Sequence, residues 1–483
     1  MSLSHLSPTG AVLLFASLFT IPCLATEGSP DPTFGTNGAA YITPDDVEAR
    51  ELRPHAALSL PDEKILVAGE RNKFISSSPF DPHVRAMLAR LNADGSADAT
   101  FGNIPGIPGV LVLPDLVPTT GAGIQEIDAM QRLSDGSIIV GGSAYAFGPL
   151  RGFLVKLDAT GAMDTSFGTD GIILIPNVYV HAVAIDSQGR IVIGGEKSIS
   201  TINHSYIGRF DASGQPDVSF GSMGDGGVVI DWDGVAGQSG YLTTIALTAS
   251  DGVVGGGNYE VYGAGMGSDF ALVRLDASGA LDTTFAGTGM RVFHRPDEAP
   301  GLVIDGIEHL LPTLTGGAVF AGHYSIDDGE GNTSINIVLG RVAADGSMDA
   351  AFGPATSPGL QPIAVVPTAG TRYPTGLVQQ SDGKLVVSVS YAAPDQSGFL
   401  AFRTSADGVL DSSFALAGVA NVDLAPGGVF SESSALALDA QGRAILAGMA
   451  ERTSPLYELA LLRLTHYDAP IDKIFADGFE GSR

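Results

Sequence analysis

The 483-residue sequence is short of cysteine, tryptophan and positive charge, and each shortage excludes something. Cys23 is its only cysteine, and it sits in an N-terminal stretch that reads as an export signal. A chain cut after that stretch holds no thiol, hence no disulfide, no thiolate zinc site and no cysteine nucleophile. Stability must then come from core burial. Basic residues number 25 against 53 acidic ones, a formal net charge of −28. Such a surface repels phosphate backbones and anionic lipid, so nucleic acid and electrostatic membrane binding are not expected. Beyond the N-terminus no run is apolar enough to cross a membrane, and no helical periodicity is sustained. There is no His-Glu-x-x-His, and Gly142–Ala146 (GSAYA) does not match a Gly-x-Ser-x-Gly elbow.

The export reading rests on the apolar core Ala11–Ile21 and the small residues before a cut at Ala25/Thr26, although no Lys or Arg precedes the core. Pro22 disfavours lipid attachment at Cys23. A secreted, periplasmic or cell-surface protein is expected, divided into a signal peptide (1–25), one repeat domain (26–468) and a tail (469–483). The tail segment Ile471–Glu480 (IDKIFADGFE) is similar to a short C-terminal ending of unrelated exported bacterial proteins, and reads as a sorting signal or a terminal strand patch.

What the chain does have is repetition. Leu157–Gly168 (LDATGAMDTSFG) recurs in variants along its length, and its aromatic residue falls at Phe34, Phe101, Phe167, Phe220, Phe285, Phe352 and Phe414. The gaps are 67, 66, 53, 65, 67 and 62 residues. Each holds short Val/Ile-rich bursts between Asp-Gly or Ser-Gly corners, as in His181–Asp186, Ile191–Gly195, Tyr206–Asp211 and Gly226–Ile230. Four short strands at this period predict an all-β fold, a β-propeller of seven four-stranded antiparallel blades. The last repeat, Ser434–Leu464, lacks a fourth strand, and Gly38–Ile42 is a fourth strand lacking the other three. Joined, they make one blade, so an N-terminal strand closes the ring and removes an open edge.

Pro61–Gly69 (PDEKILVAG), Ser381–Val389 (SDGKLVVSV) and Ala89–Gly102 (ARLNADGSADATFG) resemble the delta-60 repeat, a family of bacterial exported β-propeller-like repeats. The resemblance covers nearly all of residues 29–468. It implies the propeller fold and no shared activity. The fourth repeat (SDGVVGGG) departs from the pattern with a shortened strand, and the sixth has Ser388-Val389-Ser390 in place of a glycine pair.

The third strand of each repeat carries one cation: Arg90, Lys156, Arg209, Arg274, Arg341, Arg403 and Arg463. Each phrase carries an acid three residues before its Phe: Asp98, Asp164, Asp217, Asp282, Asp349, Asp411 and, for the split blade, Asp31. A cation between packed blades needs a partner. The pairs therefore read as a structural latch, with the Phe filling the gap between blades. A sevenfold Ca²⁺ site is the alternative, but each turn offers few of the six to eight oxygens such an ion takes. The pairs Gly141-Gly142, Gly194-Gly195 and Gly255-Gly256 have no helix after them to hold an anion, and read as close packing near the axis.

Counting back from the turn after each first strand, the strand-start position reads His55, Asp128, His181, Thr244, Glu308, Thr375 and Ser434. By analogy with related propellers the first strand is innermost, so these polar residues ring one channel mouth. His55, Asp128, His181 and Glu308 are the candidate ligand-binding set, and His55, Asp128 and His181 the candidate divalent-metal ligands. The competing reading is a solvated channel, and no cofactor is predicted. Aromatic residues (Phe74, Phe80, Tyr145, Phe147, Tyr259, Tyr262, His323, Tyr324, Trp232, Tyr241) are assigned to loops of one face, and Asp231–Gly234 and Asp327–Asn332 are acidic loops that read as solvated turns, with Ca²⁺ binding as the alternative. With one tryptophan, the tryptophan docking of quinone-dependent propeller dehydrogenases is not repeated. A monomeric, non-enzymatic binding or interaction scaffold for a protein, glycan or small molecule is expected. A metal-assisted hydrolase or lyase at the channel mouth and a structural surface protein are the alternatives.

Overall fold

The computed structural model describes residues 26–467, apart from 45–49, 75–81, 117–122, 147–149, 201, 233–238, 262–266, 295–303, 328–332, 365–370, 393–396, 429 and 454–455. The signal-peptide, tail, Phe80, Phe147, Tyr262 and most of the Asp327–Asn332 expectations lie outside the described residues. Those residues contain strands and turns and no helix.

The strand β1 (Ala39–Ile42) comes first. The first repeat holds β2 (Glu51–Ser59), β3 (Ile65–Phe74), β4 (Pro82–Leu91) and β5 (Val110–Val112). The second holds β6 (Gly123–Arg132), β7 (Ile138–Ala146), β8 (Arg151–Leu157) and β9 (Ile172–Pro176). The third holds β10 (Val178–Ile185), β11 (Ile191–Ile199), β12 (Ile202–Phe210) and β13 (Gly227–Val229). The fourth holds β14 (Ser239–Leu247), β15 (Val253–Val261), β16 (Gly267–Leu275) and β17 (Met290–Phe293). The fifth holds β18 (Gly306–Pro312), β19 (Ala318–Asp327), β20 (Thr333–Val342) and β21 (Leu360–Ile363). The sixth holds β22 (Thr371–Gln379), β23 (Leu385–Ala392), β24 (Phe399–Thr404) and β25 (Val419–Val422). The last three are β26 (Phe430–Leu438), β27 (Ala444–Thr453) and β28 (Leu456–Arg463).

Repeats three to six each form a four-stranded antiparallel sheet in chain order. The other strands make one twelve-stranded sheet, β26-β27-β28-β2-β3-β4-β6-β7-β8-β9, with β1 on β28 and β5 on β4. Its joins β28–β2 and β4–β6 are each a single parallel pair, Glu51 with Tyr457 and Val84 with Ile124. β1 pairs with β28 from Ala39 opposite Leu462 to Ile42 opposite Leu459. Neighbouring repeats share apolar cores, as where Ile207 and Phe220 meet Leu242 and Val253.

The first strands extend further than their patterning indicates. β10 begins at Val178 and β26 at Phe430, not at His181 and Ser434. Each carries a one-residue β-bulge opposite the second strand, at His55, Asp128, His181, Thr243, Glu308, Thr375 and Ser434. In the fourth repeat the reading Thr244 was therefore one residue late: Thr244 pairs with Gly256. The bulge also explains the second glycine of the pairs Gly141-Gly142 and Gly194-Gly195, while Gly141 and Gly194 face Val183 and Ile245 of the next repeat. A β-carbon on Gly142 or Gly195 would overlap the carbonyl oxygen of Glu126 or Tyr179 on the bulged strand. β15 is nine residues long, as β11 is, so the fourth repeat has no shortened strand. Tyr145, Tyr259, His323 and Tyr324 lie on strands rather than loops, because second strands continue beyond their glycines, and Tyr241 lies on the extended first strand β14.

In each phrase two turns follow one another. Asp158 Oδ1 accepts the N–H groups of Thr160 and Ala162, and Gly161 takes a positive φ of 92°. Asp164 Oδ1 then accepts Ser166 N–H, while Oδ2 lies 3.1 Å from Lys156 Nζ. In the other repeats arginine Nε donates to the phrase acid at 2.7 Å (Arg90 to Asp98), 2.8 Å (Arg209 to Asp217), 2.8 Å (Arg274 to Asp282), 2.7 Å (Arg341 to Asp349), 3.0 Å (Arg403 to Asp411) and 2.8 Å (Arg463 to Asp31). The guanidinium does more than complete an ion pair. Nη1 of Arg90 reaches Ala159 O in the next phrase, Arg209 reaches Ala277 O, Arg341 reaches Ala406 O and Arg463 reaches Ala93 O. Arg90 and Arg209 also stack over Phe101 and Phe220, 4.4 Å from the ring centroid.

The seventh phrase begins earlier than Asp31. Glu27 receives Arg403 Nη1, Phe414 lies against Gly28, and Asp31 N–H donates to Arg463 O at 2.8 Å. Glu27–Gly35 thus plays for the last strands the part that Ser213–Gly221 plays in the third repeat. Gly28, three residues before Asp31 as Gly214 is before Asp217, was the available signal.

Candidate functional site at the first strands

The bulged strands sit side by side: β2 against β6, β6 against β10, β10 against β14, β14 against β18, β18 against β22, β22 against β26 and β26 against β2. Two residues before the bulges stand Arg53, Glu126, Tyr179, Tyr241, Gly306, Tyr373 and Glu432. Their partners across each sheet are Glu70, Ser143, Glu196, Asn258, His323, Ser390 and Met449. All of the first set but Gly306 keep some solvent exposure. These residues were missed in the sequence. The signal was a polar-x-polar step (Arg-Pro-His, Glu-Ile-Asp, Tyr-Val-His, Tyr-Leu-Thr, Tyr-Pro-Thr, Glu-Ser-Ser) recurring at the start of six first strands.

Arg53 anchors one side. Its Nε donates to Glu51 Oε1 at 2.9 Å and lies 3.8 Å from Glu70 Oε1. Asn72 Nδ2 donates to Glu51 Oε2 at 3.2 Å, and Ser390 Oγ to Glu432 Oε2 at 2.9 Å. His181 anchors the next group. Its Nε2 is 3.4 Å from Glu196 Oε1, and its ring stacks on Tyr179 at 6.1 Å with an interplanar angle of 3°. Across the site His323 Nδ1 lies 2.9 Å from Glu308 Oε1 and meets Tyr373 edge-on at 4.8 Å.

Carboxyl groups so placed resist ionisation. Burial pushes Glu70 up to about 7, with Glu126 and Glu51 adding to it against Arg53. Burial likewise pushes Asp128 up to about 7 against the pull of His181. Glu126 and Glu432 are raised for the same first reason. His55 is driven down to about 4 by burial and then by Arg53, and its Nε2 is buried without a hydrogen-bond partner among the described residues. For His181 burial opposes the charged form, but the Glu196 hydrogen bond and nearby carboxylates outweigh it and the pKa rises. Tyr241 is pushed up to about 12 by burial and Glu308.

The predicted set is thus divided. Asp128 and His181 are electrostatic neighbours. Glu308 belongs with His323, and His55 stands beside Arg53. Among the described residues no group of three His, Cys, Asp or Glu side chains is placed to hold a metal ion, and His55, Asp128 and His181 are not such a group. Two of the bulge hydroxyls tie first strands together: Ser434 Oγ donates to Pro54 O at 2.5 Å, and Thr243 Oγ1 donates to Ile307 O, whereas Thr375 Oγ1 lies 2.9 Å from Ser388 Oγ on the second strand. Trp232 is held by Ser205, its Nε1 donating to Oγ at 3.0 Å. A groove of ≈ 890 Å³ beside β9, lined by Leu174, Lys197 and Tyr206, includes none of these first-strand groups.

Residues 60–101, 133–167, 187–220, 249–285 and 380–414 match the family model described as a domain of unknown function (DUF5122) β-propeller. Every matched segment ends on the Phe of its phrase. The crystal structure of the polysaccharide lyase Uly1 is similar with a TM-score of 0.51 and 12% identity, over 86% of this chain and 91% of that one. More distant are the Penicillium chrysogenum alpha-L-arabinanase complexed with arabinobiose (TM-score 0.37, 10% identity, 70% of this chain and 92% of that one) and the Pseudomonas aeruginosa PilY1 C-terminal domain (TM-score 0.40, 13% identity, 79% and 91%). None of the curated proteins matches the chain. At these identities the likeness concerns the fold alone, and with the matched segments it makes this an all-β protein carrying repeats of β-propeller type.

Proposed function

We propose that the protein is an exported, seven-bladed β-propeller that binds a glycan at the end of its channel formed by the first strands, without transforming it. Dividing the twelve-stranded sheet at its two single-pair joins leaves four strands for each of seven blades, with β1 completing the last. The succession of first-strand contacts supports a ring around a channel. The phrase acids and cations belong to the latch between blades: Asp217, for example, holds Arg209 through Oδ2 and the Ser219 turn groups through Oδ1.

The observation that carries the binding reading is the set Arg53, Glu126, Tyr179, Tyr241, Tyr373 and Glu432, polar and aromatic together and still partly exposed. Tyrosine faces suit sugar rings, and carboxylates with phenol hydroxyls suit sugar hydroxyls. A screen of neutral and cationic oligosaccharides by calorimetry tests it. Binding that Tyr179→Ala and Glu126→Gln each weaken about tenfold is the expected result. Oligosaccharide binding insensitive to both variants, or none across the screen, refutes it.

One observation favours a second reading. Glu70 and Asp128 titrate near neutrality, as an acid and base pair for hydrolysis or elimination would. Uly1 is a polysaccharide lyase, so a polysaccharide is the substrate class to try. Polymer shortened by the wild type and left intact by Glu70→Gln establishes catalysis. Polymer bound and left intact by the wild type supports the binding propeller.

A further inference from the structure

Four repeats hold a second cation beside the phrase acid. The residue just before the second strand is Lys64, Arg190, Lys384 or Arg443. Each approaches Oδ2 of its own repeat's acid: Lys64 at 2.9 Å from Asp98, Arg190 at 3.5 Å from Asp217, Lys384 at 3.3 Å from Asp411 and Arg443 at 2.9 Å from Asp31. In those repeats one carboxylate oxygen serves both the strand arginine and the turn cation.

The fourth repeat has the same turn and, among the described residues, no second cation on Asp282. Thr248 N–H donates to Gly252 O at 2.8 Å, as Asp186 N–H does to Arg190 O at 3.0 Å, so Gly252 occupies the position of Arg190. Ser137 and Gly317 occupy it in the second and fifth repeats. Asp282 Oδ2 receives Arg274 Nε at 2.8 Å, and Oδ1 accepts from Thr284 N and Oγ1 at 3.0 and 2.6 Å. Its side chain is 27% exposed, against 4% for Asp98. The missing side chain leaves a pocket of ≈ 650 Å³ lined by Gly252, Asp282, Arg274, Asp276, Thr248 and Ser250. Two carboxylates and one guanidinium give this lining a net negative charge.

We infer that this pocket binds an alkyl ammonium or guanidinium group supplied from outside, seated on Asp282 Oδ2 as Lys64 is on Asp98. Four sister repeats show the arrangement filled by the protein's own chain, which sets the ligand's chemistry: a cation on a flexible alkyl stem, the end of a free amine or of a peptide Lys or Arg. The site is separate from the first-strand ring and does not depend on the glycan reading.

Refilling the pocket with Gly252→Arg is a poor test, because a β-carbon there would stand 2.7 Å from Leu275 O. The test is instead calorimetry of the full chain with propylguanidine and with acetyl-Gly-Arg-Gly-amide, together with crystal soaks in each. Guanidinium density beside Asp282 and none beside Asp98 or Asp411 is expected. Affinity should drop about tenfold in Asp282→Asn. That variant also removes the partner of Arg274, so Ala249→Trp, on an exposed pocket-lining turn residue, is the second variant; it should abolish binding with melting unchanged. Tighter binding of the peptide than of propylguanidine assigns the cation to a protein partner, and equal binding assigns it to a free amine. Saturating probe without density at Asp282, or binding that neither variant weakens, overturns the site.

Discussion

A β-carbon placed on Gly161 would stand 2.5 Å from Cε2 of Phe101, the aromatic residue of the preceding repeat. The same relation joins Phe352 to Gly408 at 2.6 Å and Phe414 to Gly28 at 2.6 Å. The phrase glycine is the seat for its predecessor's ring. The phrase therefore couples consecutive repeats as well as turning the chain.

Gly161→Ala should destabilise the fold by about 2 kcal/mol or more, combining left-handed strain with overlap of a fully packed ring. Gly136→Ala is the control. Gly136 shares the φ of +92°, but its β-carbon would meet nothing nearer than 3.5 Å. Urea denaturation of both variants decides it: equal losses would mean that only backbone strain matters.

Arg209→Leu should cost about 3 kcal/mol, the usual range for breaking a buried pair. Arg209 is nearly inaccessible and gives up bonds to both Asp217 and Ala277 O. The sequence indicated that Asp217 would be left unpaired, yet Arg190 stands 3.5 Å from it. Arg190→Leu added to Arg209→Leu should consequently cost more than the two single losses summed. Additive losses would mean that Arg190 offers Asp217 no rescue.

Stability should depend on pH in two opposite ways. Asp411, where burial is outweighed by the Ser413 and Arg403 interactions, is lowered to about 2, and Asp217 and Asp282 are lowered as well. Their contribution is present above the ordinary aspartate value and is lost as pH falls through their folded values. Glu70 and Asp128 are raised to about 7, so their contribution is present below the ordinary carboxylate range and is lost as pH climbs towards 7. Melting temperature should therefore decline between about pH 4.5 and pH 7. The Glu70→Gln, Asp128→Asn double variant should flatten that decline. A wild-type profile that rises across this interval would contradict the assignment.

Deleting residues 26–43 removes β1, Glu27 and Asp31 together, leaving Arg403 without Glu27, Arg463 without Asp31 and the β28 edge bare. Such an edge invites pairing between chains. Light scattering and thermal melting should report aggregation and a lowered midpoint. A monomeric truncation with the wild-type midpoint would show that the terminal strand is dispensable.

Strand identity was legible because period-two alternation and Asp-Gly corners are local signals. So was the pairing of each third-strand Arg or Lys with its phrase acid, since charge in a packed interface demands a partner. Bulge register was not. Whether Thr243 or Thr244 is the extra residue depends on how a neighbouring strand crowds the backbone, which adjacent Thr residues do not reveal. The row at Glu126, Tyr179 and Tyr373 was hidden for a related reason: counting back from the turn stopped each first strand at what is its bulge, whereas hydrogen bonding to the second strand carries it several residues further. His323 and Tyr324 looked like loop residues on the same account, and are buried on β19.

Ser29 N–H meets Thr465 Oγ1 at 3.1 Å across 436 residues of chain. Contacts of that span come last in folding, because their loop entropy is offset only when everything between them is already ordered. A chain still leaving the ribosome has β1 made and β28 unmade, so β1 waits without its partner until β28 follows. The final repeat works as a clasp whose two halves meet only once β28 has been made. Until then β1 and the segment Glu27–Gly35 have no β28 to hold them.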